Sequence, residues 1–213
     1  MRIVAGAYGG RRLEVPKGRD IRPTSDKVRG AIFNALRSRG AVEGARVLDA
    51  FCGTGALGLE ALSQGAVHCS FLDKSRESLE LAKRNAQALG LLSPSLRGAQ
   101  RRGNPEPQDG SRDCFAGARN DGKTAEFLLK DSTKLGTCPY DPFALIFLDP
   151  PYDQGLISPA LAGLHDGGWL ADGAFIVAET EKRWSGDIPP AYTALDEKTY
   201  GDTKVVFLRY SAL

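Results

Sequence analysis

The apolar run Leu145-Ile146-Phe147-Leu148 leads straight into Asp149-Pro150-Pro151-Tyr152. Two consecutive prolines remove two backbone N–H donors and fix φ, so the turn after this run is stiff. The carbonyls of Asp149 and Pro150 find no local donor at the prolines and can face a ligand. With the Asp149 carboxylate they form a set of acceptors suited to an amine. An exocyclic amine on a nucleic-acid base is a weak nucleophile, because its lone pair is delocalised into the ring. Accepting its N–H hydrogens localises the lone pair and aims it for in-line attack. A carboxylate near the ordinary Asp pKa of about 3.9 is a weak base. Asp149 is therefore read as an acceptor and orienter ahead of a general base. Tyr152 offers a ring for a base that has been splayed or flipped out of its helix. Asp149, Pro150 and Tyr152 are the candidate catalytic residues.

A second constellation lies upstream. Val47-Leu48-Asp49-Ala50-Phe51-Cys52-Gly53-Thr54-Gly55-Ala56-Leu57-Gly58 carries glycines at 53, 55 and 58, the G-x-G-x-x-G spacing, between a strand-like and a helix-like stretch. Such glycines serve a tight turn, close ligand approach and helix–strand contact. Asp73 follows Gly53 by twenty residues at the end of another apolar run, where it can accept from a ribose diol. On this spacing alone a nicotinamide dinucleotide fits as well as an adenosyl cofactor. Asp49 shifts the balance. A carboxylate at that strand end suits the positive amino group of S-adenosylmethionine and suits a pyrophosphate poorly. The helix N-terminus after Gly55 favours the carboxylate of the same ligand. Asp131, in Lys130-Asp131-Ser132, ends a third run and can accept from an adenine amino group. The candidate cofactor residues are Asp49, Phe51, Gly53, Gly55, Asp73, Asp131 and Ser132.

The elements that must hold these residues alternate. Strands are expected at Arg46–Phe51, Val67–Leu72, Phe127–Lys130, Phe143–Leu148 and Ala174–Ala178. Helices are expected at Ala56–Gln64 and Ser75–Leu89, the latter with Leu79, Ala82, Ala86 and Leu89 inward. That alternation is the pattern of an α/β domain with a mostly parallel sheet covered on both faces. Ala191–Tyr200 and Thr203–Tyr210 have no helix between them and turn at Gly201-Asp202, which predicts an antiparallel pair. At the front, Arg2–Ala5 and Arg11–Val15 read as a hairpin, followed by a basic loop. A helix then runs from an N-cap at Thr24 or Ser25 through about Arg39. Residues 93–122 break the order, with Gly, Pro and alternating charges where a short loop is usual. They read as a mobile surface insertion without a role in cofactor binding, the alternative being an RNA-contacting arm that carries Arg97, Arg101, Arg102, Arg112 and Arg119.

The chain has 213 residues, 42% apolar and 25% charged, as a single globular domain would. No apolar run is long enough to span a membrane, and the first residues carry no secretion signal, so a cytoplasmic location is expected. Four scattered cysteines and two histidines argue against a metal site and for free thiols. The net charge of +2 divides unevenly: residues 1–46 hold eleven Lys and Arg against four Asp and Glu, leaving +7 there and −5 elsewhere. A basic front on an acidic body suggests a polyanion met by one face.

The chain resembles the RsmD family of bacterial 16S ribosomal RNA guanine-N2 methyltransferases. The resemblance rests on Arg2-Ile3-Val4-Ala5-Gly6, on Ile21-Arg22-Pro23-Thr24-Ser25-Asp26-Lys27-Val28-Arg29, on the glycine loop extended through Leu62, and on Asp149-Pro150-Pro151-Tyr152. The loop and the Asp-Pro-Pro-Tyr turn are shared with many amino-methyltransferases, whereas the Arg-Pro-Thr stretch is more specific to this family. The resemblance implies a Rossmann-like S-adenosylmethionine methyltransferase fold. Its mostly parallel seven-stranded sheet would carry a C-terminal antiparallel strand and a small N-terminal hairpin and helix. It implies two parts: residues 1–44 as a basic RNA-contacting extension, and 45–213 as the methyltransferase domain with the insertion at 93–122. It implies a monomer acting on 16S RNA in small-subunit particles, without metal or membrane. By position Asp73 would hold the ribose, Asp131 the adenine, and Asp149 and Tyr152 the guanine. Arg11, Arg12, Arg22 and Arg29 would hold RNA phosphates. The insertion departs from the family pattern and leaves the start of the third strand, and with it Asp131, open. An adenine-N6 DNA methyltransferase is the alternative, since the same turn serves that amine. A nicotinamide dehydrogenase and a non-catalytic RNA-binding module are the readings from other classes.

Overall fold

The computed structural model describes residues 1–16, 25–92, 115–118, 122–152 and 154–212. The helices are α1 (Asp26–Arg37), α2 (Ala56–Ser63), α3 (Arg76–Ala88) and α4 (Ile157–Asp166). The strands are β1 (Arg46–Asp49), β2 (His68–Asp73), β3 (Phe115–Ala118), β4 (Thr124–Leu129), β5 (Phe143–Leu148), β6 (Leu170–Glu181), β7 (Tyr192–Tyr200) and β8 (Thr203–Tyr210). They form one sheet in the order β3-β4-β2-β1-β5-β6-β8-β7. The core strands from β4 to β6 are parallel, and β8 and β7 follow antiparallel. The seven strands expected from the sequence are all there. The eighth, β3, comes from within the insertion and pairs antiparallel with β4 at the sheet edge. Most of the rest of 93–122, where mobility is expected, lies outside the described residues.

Side chains alternate across each strand, and both faces of the sheet are covered. One face buries Val47, Phe71, Phe127, Leu145, Phe147, Val177, Val205 and Phe207 with Val28, Ile32, Phe33 and Leu36 of α1, Leu59 and Leu62 of α2, and Leu79, Ala82 and Ala86 of α3. The other buries Leu48, Leu72, Ile146, Leu148 and Ile176 with Ile157, Leu161 and Leu164 of α4 and with Trp169. Two-sided burial explains why apolar residues stand on both faces of β1, β2 and β5.

The helix starts follow local chemistry. Ser25 and Ser75 cap α1 and α3 by accepting from the backbone N–H of Val28 and Ser78. Helix α4 is not among the helices expected from the sequence, because its segment contains Pro159 and Gly163, both poor helix residues. Pro159 stands in the first turn, where its missing N–H costs nothing. Burial of Ile157, Ala160, Leu161 and Leu164 supplies the rest.

The N-terminal hairpin exists, with Arg2 bridged to Arg12, and it is fastened to α2. The N–H groups of Val4 and Ala5 donate to the Glu60 carboxylate at 2.7 and 2.9 Å. Ile3, Tyr8 and Leu13 join the same core as α1 and the sheet. Arg29, expected on an RNA-facing surface, is instead fully buried. Its guanidinium pairs with Glu60 at 3.3 Å and Asp26 at 2.9 Å and donates to the Arg2 carbonyl. A buried Glu60 needs a buried cation, and Arg29 is that cation. The RNA-binding assignment of Arg29 is therefore corrected to a structural one. Among the described residues no helix is long and apolar enough to cross a membrane.

Candidate active site

Strand order reverses around β1, which lies between β2 and β5. In open α/β sheets such a switch point opens a crevice at the carboxyl ends of the strands. Alternation determines which side chains line it. Asp73, Asp49, Asp149 and Glu179 each follow by two residues a core residue of the α1–α3 face: Phe71, Val47, Phe147 and Val177. Thr203 precedes Val205 by two on antiparallel β8, which brings it to the same edge. The strands thus set a row across one edge: Asp73, Asp49, Asp149, Glu179, Thr203. A cleft of about 690 Å³ contains all five.

Both corners identified in the sequence open into that cleft. Asp49, Phe51, Gly53 and Asp73 line one part, and Asp149, Pro150, Pro151 and Tyr152 line another. The loop between β1 and α2 is held by its own backbone. Gly55 caps α2 in the left-handed region at φ 77°, where glycine alone is unstrained. A Cβ on Gly58 would lie 2.5 Å from Cys69 Sγ and from the Phe71 ring, so glycine here serves close packing of α2 on β2. The Gly53 N–H donates to Asp73 at 3.0 Å, and Ser75 N–H donates to its other oxygen at 2.8 Å. The Gly58 N–H donates to Asp49 at 2.9 Å. Burial holds the Asp49 carboxyl up at about 7; the Gly58 bond opposes this, and the charges of Asp149 and Asp73 add to it. Three carboxylates together, Asp49 buried and Asp73 and Asp149 partly so, make a poor place for an anion and a good one for a cation.

Tyr152 is half-buried, and its hydroxyl bonds the Thr203 hydroxyl at 2.8 Å. Gly55, Asp131 and Ser132 are not among the residues lining the cleft. Asp131 closes its own turn, accepting from the N–H and hydroxyl of Thr133 at 2.9 and 2.7 Å, and these bonds hold its carboxyl below the usual range. The Ser132 hydroxyl is buried and donates to the Ala50 carbonyl, bracing the glycine loop from below. Gly55, Asp131 and Ser132, expected as cofactor contacts, thus stand in the loops around the cleft. Arg11 and Arg12 are exposed on the hairpin, with Arg11 donating to the Ala88 carbonyl at the end of α3. Arg22 lies outside the described residues.

The cleft also has walls that sequence reasoning misses: Met1, Ser25 and Val28 from the N-terminal segment, and Glu179, Tyr200 and Thr203 beside the Asp149 corner. Glu179 has a signal in the sequence, an apolar strand ending in an acid, as at Asp49, Asp73 and Asp149. The expected strand stops at Ala178, one residue short of that acid. Asn85 is a further residue without a sequence signal. Fully buried on α3, it donates to the Thr54 carbonyl at 2.9 Å and accepts from Glu14 N–H at 2.7 Å, tying the glycine loop to the hairpin.

A family model described as "Conserved hypothetical protein 95" matches residues 1–108 and 116–209. The Ribosomal RNA small subunit methyltransferase D of Escherichia coli K12 is 32% identical over 181 residues, covering 85% of this chain and 75% of that protein. The chain belongs to the RsmD family. The protein of the same name from Haemophilus influenzae is 31% identical over 203 residues, covering 94% of this chain and 89% of its own. The solved structure of yhhF from Escherichia coli superposes on it with a TM-score of 0.73 at 28% identity, covering 100% of this chain and 99% of that one. The family model leaves out residues 109–115, within the stretch that reads as an insertion in the sequence. As a member of the RsmD family the chain has the fold expected of it, with β3 as an added edge strand.

Proposed function

We propose that this chain methylates the exocyclic N2 amine of a guanine in 16S ribosomal RNA, within small-subunit particles, using S-adenosylmethionine as the methyl donor. The observation that carries this reading is the single cleft containing both Asp49, Gly53 and Asp73 and Asp149, Pro150 and Tyr152. The names of its relatives support the coarser statement, a methyltransferase of ribosomal RNA. The finer one rests on the chemistry of the cleft.

That chemistry fits S-adenosylmethionine. Its volume of about 690 Å³ lies within the range of small-molecule sites. Asp49 would balance the ammonium, and Asp73 would accept from the ribose hydroxyls with lone pairs left over from its two backbone donors. When bound, the cofactor supplies an electrophilic methyl on a positively charged sulfur. The chain's own groups do the rest. Asp149 and the Pro150 carbonyl accept the N2 hydrogens and localise the lone pair, and the Asp149 carboxylate holds the proton as N2 becomes acidic. Tyr152, anchored through Thr203, stacks on the guanine. Arg11 and Arg12 meet phosphates, which fixes position but carries no sequence information.

Labelled methyl transfer from S-adenosylmethionine to small-subunit particles, followed by nucleoside analysis, tests the reading. Label in N2-methylguanosine is expected. Label confined to N6-methyladenosine in DNA would replace it with the adenine reading, and no transfer in any assembly state would refute it.

A further inference from the structure

We infer that Glu179 reads the guanine, accepting from its N1–H and so selecting guanine over bases that offer a lone pair there. This rests on the guanine-N2 reading above. Leu148 of β5 pairs with Ala178 of β6, so Glu179 stands one residue further along, beside Asp149 on the same face. Its neighbour on the other side is Val205 of β8, two residues from Thr203, which anchors Tyr152 at 2.8 Å. Glu179 is 1% exposed and lines the cleft with Asp149, Tyr152 and Tyr200. It also lines a smaller hollow against Pro150, Pro151 and Trp184. The half of the cleft away from Asp73 thus has an aromatic wall and two carboxylates and, among its described lining residues, no Lys or Arg.

Guanine is the base whose Watson–Crick edge suits that wall. Its N1–H and N2 amine are adjacent donors, matching two adjacent acceptors. With the N2 hydrogens taken by Asp149 and Pro150, N1–H is left for Glu179. Adenine in the same seat would turn its N1 lone pair toward a buried carboxylate, which is repulsive and leaves the adenine N1 without a donor. The carboxylate is needed for choosing the base, whereas the Asp149 corner acts on whichever amine is seated.

The test uses 2,6-diaminopurine, which keeps the 2-amino group but has an acceptor at N1. It is placed at the target position of the particle RNA and compared with guanosine. Wild-type protein should favour guanosine in kcat/KM by on the order of 10- to 100-fold, the scale of one hydrogen bond to a charged group. Glu179→Gln, whose amide can donate to N1, should bring the two substrates within about threefold of each other. Its thermal midpoint and S-adenosylmethionine affinity should match wild type, which separates base choice from folding. Guanosine methylation by wild type without discrimination, or a preference unchanged in Glu179→Gln, overturns the role of Glu179 and leaves the proposed reaction standing. Failure of wild type to methylate guanosine in any particle overturns both.

Discussion

Replacing Asp49 with Asn should stabilise the ligand-free protein while weakening its hold on the cofactor. In the fold the Asp49 carboxyl is buried and titrates at about 7, against an ordinary value of 3.8. The folded state therefore keeps a proton that the unfolded chain has given up, and stability falls as pH rises from about 4 to about 7. A gap of about three pKa units, at about 1.4 kcal/mol each, sets a ceiling of roughly 4 kcal/mol above pH 7. Asn does not titrate and can still accept from the Gly58 N–H, so the variant escapes this loss. Urea unfolding of both proteins should show the variant more stable, with the gap widening by up to about 3 kcal/mol between pH 5 and pH 8. S-adenosylmethionine should bind the variant more weakly at pH 8, where the wild-type carboxylate is charged. A gap that stays constant with pH, or a wild type that is the more stable at pH 8, would refute the argument that this carboxylate is held ready for a cation.

Three further outcomes are expected. Asp149→Ala should lower kcat by on the order of 100-fold or more with cofactor affinity within a few-fold of wild type, measured by single-turnover transfer and calorimetry. Arg29→Met should cost about 3–5 kcal/mol in urea unfolding, because it strands Glu60 as a buried, unpaired charge. The double variant Arg11→Gln, Arg12→Gln should bind particle RNA more weakly at every salt concentration. Its salt slope should fall by about 0.7 for each phosphate that is no longer neutralised.

The fold is legible in the sequence where one pattern dominates. Apolar runs ending in Asp49, Asp73 and Asp149 announce β1, β2 and β5, since both faces of those strands are buried and apolar residues stand on each. Ser25, one of two candidate caps, announces the start of α1 through its hydroxyl. Helix α4 is not legible, because its stability comes from packing on the sheet and its own residues, Pro159 and Gly163, argue against it. Strand β3 is hidden for a similar reason: it borrows its pairing from β4 at the edge. Within the site, the residues on β1, β2 and β5 stand out because each ends a strand next to a glycine, serine or proline turn. Glu179 and Thr203 reach the cleft only through the register of β6 with β5 and β8. Arg29 misleads because a basic residue in a basic segment looks exposed, and the partner that buries it, Glu60, is 31 residues away.

The central claim, that the Asp149 corner and the Asp49–Asp73 corner work on one substrate in one cleft, is tested most directly in cells. Small-subunit RNA would be mapped by mass spectrometry in cells lacking this protein, then complemented with wild type or Asp149→Ala. Loss of a single N2-methylguanosine, restored by wild type and not by Asp149→Ala, is the predicted result. An unchanged set of modified guanosines in the deleted cells, or full restoration by Asp149→Ala, would contradict it.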